Sequence, residues 1–161
     1  MGEAKKRGSF NERVEAAEIG LETIEHCYAM LFEMAQAVYA ETGGLNHDLK
    51  GITVQEGKGA GVSVMLVEDP SQVPKMVQRM LGKWPLVVHT VEVWQTTKRN
   101  VAARDDPDRT DAISFMFHTR DKVMCAICPA DEKARTIKKA DLSRVEAFVN
   151  SRPADTSETR H

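Results

Sequence analysis

Between Asn11 and Glu41 the chain has no proline and a single glycine, and its apolar residues recur at a spacing that only a helix gathers on one side. Val14, Ala17, Leu21, Ile24, Tyr28, Leu31, Ala35 and Val38 are separated alternately by three and four positions. That is a heptad seam, the pattern of a helix lying lengthwise on another element. Ser9 with Glu12 has the spacing of a capping box and predicts the helix start. Gly43-Gly44 predicts its stop. Glu15, Glu18, Glu22 and Glu25 flank the first half, whereas Cys27, Met30, Phe32, Met34 and Tyr39 widen the apolar face of the second. A wide face suits burial in a core and a narrow seam suits pairing of helices. The second half is therefore expected inside the domain. Val14, Ala17, Leu21 and Ile24 are expected to meet a partner helix, most simply in a homodimer.

The rest of the chain supplies what such a helix can lie on. Ile52–Gln55 and Gly61–Glu68 read as strands joined by the glycine-rich turn 56–60. Asp69-Pro70 reads as an N-cap and first helical position, followed by an amphipathic helix over Val73, Met76, Val77, Met80 and Leu81 that ends near Gly82. Leu86–Thr96 is a Val-rich strand. Ala112–Thr119 and Val123–Cys128 read as a hairpin turning at Arg120-Asp121, and Arg135–Lys139 as a short edge strand. Ser143 with Glu146 repeats the capping-box spacing and predicts a last helix carrying Val145, Phe148 and Val149. The order α-β-β-α-β-β-β-α predicts an α+β fold: a mainly antiparallel sheet of about five strands, a long N-terminal helix and two shorter helices. Residues 9–150 read as one domain, between a basic flexible start at 1–8 and a tail at 151–161 without apolar pattern.

Composition narrows the class. At 161 residues, 42% hydrophobic and 29% charged, the chain is within the range of one globular domain. A formal net charge of −2 gives no global attraction to nucleic acid. No apolar run approaches the length of a membrane span. The opening Met-Gly-Glu-Ala-Lys-Lys-Arg lacks the apolar stretch of a secretory signal. With three cysteines, this favours reduced thiols and a cytoplasmic setting.

Several local patterns invite chemistry. Cys125 and Cys128 form a C-x-x-C, but on a strand residues three apart point to opposite faces, so core thiols are expected rather than a metal or redox site. Gly57-Lys58-Gly59-Ala60-Gly61 leads into a strand rather than a helix, which favours a hairpin turn over a phosphate cradle. Asp105, Asp106, Asp108 and Asp111 lack the glycine and closing glutamate of a calcium loop. His89 and His118 lie on alternating strands and read as hydrogen-bonded core residues, and His26-Cys27 point too far apart on a helix to act together. No metal and no cofactor is expected. Charge is uneven: Asn11–Thr42 holds seven Glu against one Arg, and Lys133–Arg144 holds five basic residues against one Asp. Arg99, Arg104, Arg109, Lys133, Arg135, Lys138 and Lys139 are the candidates for gripping an anion, including a nucleic-acid backbone.

The opening Lys5-Lys6-Arg7-Gly8-Ser9-Phe10-Asn11-Glu12-Arg13-Val14 resembles the start of small, poorly characterised proteins encoded by phages and other mobile elements. The stretch Asp106-Pro107-Asp108-Arg109, entering a strand, is similar to a loop in uncharacterised small proteins. These resemblances imply a bacterial or phage setting and bring no catalytic residue. The leading expectation is a non-enzymatic protein that self-associates through its N-terminal helix. The alternatives are a small enzyme with a site on the 98–111 loop and adjoining strands, and nucleic-acid binding through residues 133–144.

Overall fold

The computed structural model describes residues 19–55, 59–95 and 109–145. The expectations for residues 1–18, for the centre of the glycine-rich turn, for most of the 98–110 loop and for residues beyond 145 lie outside them. Helix α1 spans Leu21–Thr42. Strands β1 (Asp48–Gln55) and β2 (Gly59–Leu66) follow, then a 3-10 turn at Pro70–Gln72 and helix α2 (Val73–Leu81). Strands β3 (Leu86–Gln95), β4 (Thr110–His118), β5 (Val123–Asp131), β6 (Thr136–Ile137) and β7 (Ser143–Val145) complete the described chain. All seven strands join one antiparallel sheet, ordered β2-β1-β3-β4-β5-β6, with β7 also on β5. No helix among the described residues is long and apolar enough to cross a membrane.

Local chemistry sets several of these boundaries where the sequence placed them. Gly43 takes the left-handed conformation (φ 75°) and returns its N–H to the Tyr39 carbonyl, closing α1. The Asp69 carboxylate accepts the Ser71 N–H as the cap of the 3-10 turn. Val73, Val77 and Met80 recur on the buried side of α2. Two corrections concern the ends of the chain. Among the described residues the sheet has seven strands rather than about five. Ser143–Val145, expected to open a helix, is a strand pairing with Val123–Cys125. The outer edge of β5 offers unpaired backbone groups there, and this pairing overrides the local helix-start signal.

Strand register assigns the faces. Asp48, Lys50 and Ile52 share a face with Val62, Val64 and Leu66 of β2 and with Leu86, Val88 and Thr90 of β3. Helix α1 packs on this face, joining Ile52, Val88, Ile113, Phe115, Phe117, Ala126, Cys128 and Ile137 in one core. Its centre is aromatic: the Tyr28 ring lies 5.6 Å from Phe115 and 5.7 Å from Phe117, contacts worth about 1 kcal/mol each beyond burial. Helix α2 covers Leu49 and Val87 on the other face. Trp84 lies so close to Gly51 that an added Cβ would stand 2.5 Å from its ring.

The buried residues of α1 are Ile24, Cys27, Tyr28, Leu31, Phe32, Ala35 and Tyr39. This stripe advances with a true helical period and drifts off the heptad seam. Val38, the last seam position, is exposed in consequence, and Tyr39 takes the core place instead.

Candidate interaction surface

Helix α1 is fixed on one side by the β5–β6 end of the sheet. Gln36 donates to the Arg135 carbonyl at 3.2 Å and accepts the Ile137 N–H at 2.7 Å, so this side of the helix runs along the β5–β6 hairpin. Arg135 reinforces the placement by donating from Nη1 to the Glu41 carbonyl at 2.9 Å, a cation at the negative end of the helix. The opposite flank of α1 carries Met30, Met34 and Val38, one turn apart, and looks toward the β1–β2 half of the sheet. On that half the helix-side residues of β2 are Val62, Val64 and Leu66. These six side chains expose 44% to 60% of their surface. A protein normally exposes large apolar residues singly rather than on two facing elements. Asp48 and Lys50, paired at 2.7 Å on the neighbouring strand, give this surface a polar floor.

Strand β2 is also the end of the sheet. The stretch Gly59–Leu66 contains no charged residue and no proline, so it lacks the devices that usually blunt an edge strand. The sequence reading missed this surface. The absence of charge from 59–66 was the one signal available; the exposure of Met30 and Met34 depends on where the helix sits across the sheet.

The residues expected to pair helices divide. Ile24 is fully buried in the domain's own core, Leu21 is exposed at the start of α1, and Val14 and Ala17 lie outside the described residues. The expected anion-binding residues have the following places where they are described. Arg109 sits over the Trp94 ring at 5.6 Å, Lys139 over the Tyr28 ring at 4.9 Å, and Arg135 on the helix end. Lys133 and Lys138 are exposed; Arg99 and Arg104 lie outside the described residues. A polar hollow of about 380 Å³ at the β4–β5 turn is lined by Arg120, Lys122 and Arg144. Two of these cations tie the turn to the helices: Arg120 donates to the Leu81 carbonyl and Lys122 to the Ile19 carbonyl.

Cys125 and Cys128 point to opposite faces of β5, as strand geometry requires. Tyr28 donates its hydroxyl proton to the Ala140 carbonyl. Its single proton is thereby used, so the Cys128 thiol is the donor in the 3.2 Å Tyr28–Cys128 contact. His89 is buried, and its Nε2 lies 2.7 Å from Nε2 of His47 with ring centroids 4.9 Å apart. These two lengths put the rings nearly head to head around one shared proton. Two nitrogens on one tetrahedral zinc stand roughly 3.3 Å apart, so this arrangement leaves no room for an ion between them. Nothing near either residue in sequence announces the pair; it arises from the β1–β3 register. Among the described residues no group of three or more His, Cys, Asp or Glu could hold a metal.

No protein-family model, curated protein or solved structure matches the chain.

Proposed function

We propose that this is a non-enzymatic interaction protein that self-associates, with a second copy covering the open flank of α1 and the outer strand β2. The carrying observation is the two-element apolar surface formed by Met30, Met34, Val38, Val62, Val64 and Leu66. The uncharged strand favours a second copy as the occupant. A strand without charge lies beside its own two-fold mate with no like-charge clash, and antiparallel pairing makes the contact self-complementary. The helix takes part through Met30, Met34 and Val38 rather than through the first half of the heptad seam, because Ile24 belongs to the core. The bacterial or phage setting stays a proposal resting on the short sequence resemblances.

Light scattering at tens of micromolar protein tests the reading, with a dimeric mass expected. Met34→Glu with Val64→Glu should give a monomer with an unchanged circular dichroism spectrum, because both positions are exposed in the free domain. A monomeric unmodified protein rejects self-association. A dimer that survives the double substitution with the fold intact rejects this surface as its interface.

A further inference from the structure

Among the described residues β2 has no strand on its outer side. Its register with β1 runs without a bulge from Asp48↔Leu66 to Gln55↔Gly59. Just beyond this ladder the Val67 N–H donates to the His47 carbonyl at 2.9 Å. In an antiparallel pair, hydrogen-bonded and non-hydrogen-bonded residue pairs alternate. Counting back from Val67, the residues Met65, Ser63, Gly61 and Gly59 therefore direct their N–H and C=O groups to β1. Ala60, Val62, Val64 and Leu66 direct theirs outward, where no described strand receives them.

Side chains alternate between faces with the same period of two. Val62, Val64 and Leu66 thus combine an outward-facing backbone with an exposed apolar side chain on the helix side, while Ser63 and Met65 stand on the opposite face. A natural edge strand ordinarily carries a charge, a proline or a bulge that turns other strands away. Gly59–Leu66 has none of these. Such an edge accepts an extended, uncharged strand whose own outward groups have the same spacing. A second copy of β2 meets both conditions.

We propose, resting on the self-association reading above, that two copies join β2 to β2 antiparallel in one continuous sheet, with Ser63 opposite Ser63 of the second copy. Two-fold symmetry requires that where residue i meets residue j, j also meets i. Outward residues must also face outward residues. Together these conditions put the axis at a single strand position. With the axis at Ser63, Val62 pairs with Val64 of the second copy and Ala60 with Leu66. Every outward N–H and C=O of β2 then finds a partner. An axis at Val62 leaves Leu66 facing past the start of the other β2, and an axis at Val64 leaves Ala60 facing past its end. The chosen register also sets Val62 beside Val64 on the helix side, an apolar cross-strand contact repeated by the symmetry.

Cysteine cross-linking reads the register. At a non-hydrogen-bonded pair the two Ser63 Cα atoms stand roughly 4.5 Å apart, within reach of a disulfide. Two Met65 residues, on the same face but four positions apart along the pair, stand at roughly 14 Å. On mild oxidation Ser63→Cys should form a covalent dimer about tenfold faster than Met65→Cys. The unmodified protein, with Cys27, Cys125 and Cys128, is the blank. Amide exchange reads the backbone without any substitution. The Val62, Val64 and Leu66 amides should be protected at high protein concentration and exchange on dilution, while Ser63 and Met65 stay protected throughout. Val64→Pro removes an outward N–H and spares the bonds to β1, so it should give a folded monomer by light scattering and circular dichroism. A monomeric unmodified protein overturns both this inference and the self-association reading. A dimer that cross-links through Met65→Cys, or fails to do so through Ser63→Cys, overturns the register and leaves self-association standing. A dimer whose Val62 and Val64 amides remain unprotected, or one that persists in folded Val64→Pro, overturns strand pairing and leaves the apolar side chains as the contact.

Discussion

Tyr28 and Tyr39 are the only tyrosines in the chain, and both occupy places where a phenolate is unfavourable. Burial raises the pKa of each; for Tyr28 the bond to Cys128 adds to the effect, and for Tyr39 the nearby carboxylates do. The folded protein therefore holds these protons to higher pH than the unfolded chain. Its stability from this source is complete below about pH 10, the unfolded tyrosine value, and falls as pH rises beyond it, because folding then requires proton uptake. Tyrosinate absorbance should stay flat through the range where free tyrosine titrates and then rise together with loss of secondary structure. A normal tyrosine titration in the folded protein would contradict this. At Gly51 the constraint is volume. Gly51→Ala pushes a methyl group into the Trp84 ring and should lower stability by about 1–3 kcal/mol in urea unfolding, with a smaller loss when Trp84 is first replaced by Leu. The two cysteines of the C-x-x-C should separate cleanly. Cys128→Ala removes a buried donor from Tyr28 and should destabilise by about 1–2 kcal/mol. Cys125→Ala, on the other face and half-buried, should lose less. Equal losses in parallel unfolding curves would mean that the Tyr28 contact contributes nothing.

At the level of elements, what was legible was what local chemistry decides. The stop of α1 at Gly43, the extent of α2 and the hairpin of β4 with β5 follow from glycine conformation, helical spacing and alternation within a dozen residues. The misread elements depend on distant partners. Ser143–Val145 carries a helix-start signal and becomes a strand because β5 needs a neighbour. The seam of α1 was read as a continuous contact line, but periods of 3.5 and 3.6 residues diverge slowly. Over six turns the difference carries Val38 out of the core and Tyr39 into it. The same divergence creates the surface now proposed for self-association. Tyr39, Glu92 and Asp111, which line a small cleft under α1, lay beyond reach for a simpler reason: helix placement and strand register bring them together, and no short stretch contains more than one of them.

For the whole molecule, the two margins of the sheet differ in kind. Along β5, β6 pairs with Ala130 and Asp131, and β7 with Val123–Cys125. Between them lies Pro129, which has no N–H to offer. Among the described residues that margin carries two short strands and a proline, while β2 has no strand on its outer side. The difference governs how far an assembly can grow. A sheet with two open margins adds neighbours without limit, as fibrils do. A sheet with one has a single valence. In the proposed dimer, joining through β2 would use the long edge strand of each copy and leave the short, proline-interrupted margins facing outward. Such a contact would end assembly at two copies without any further device.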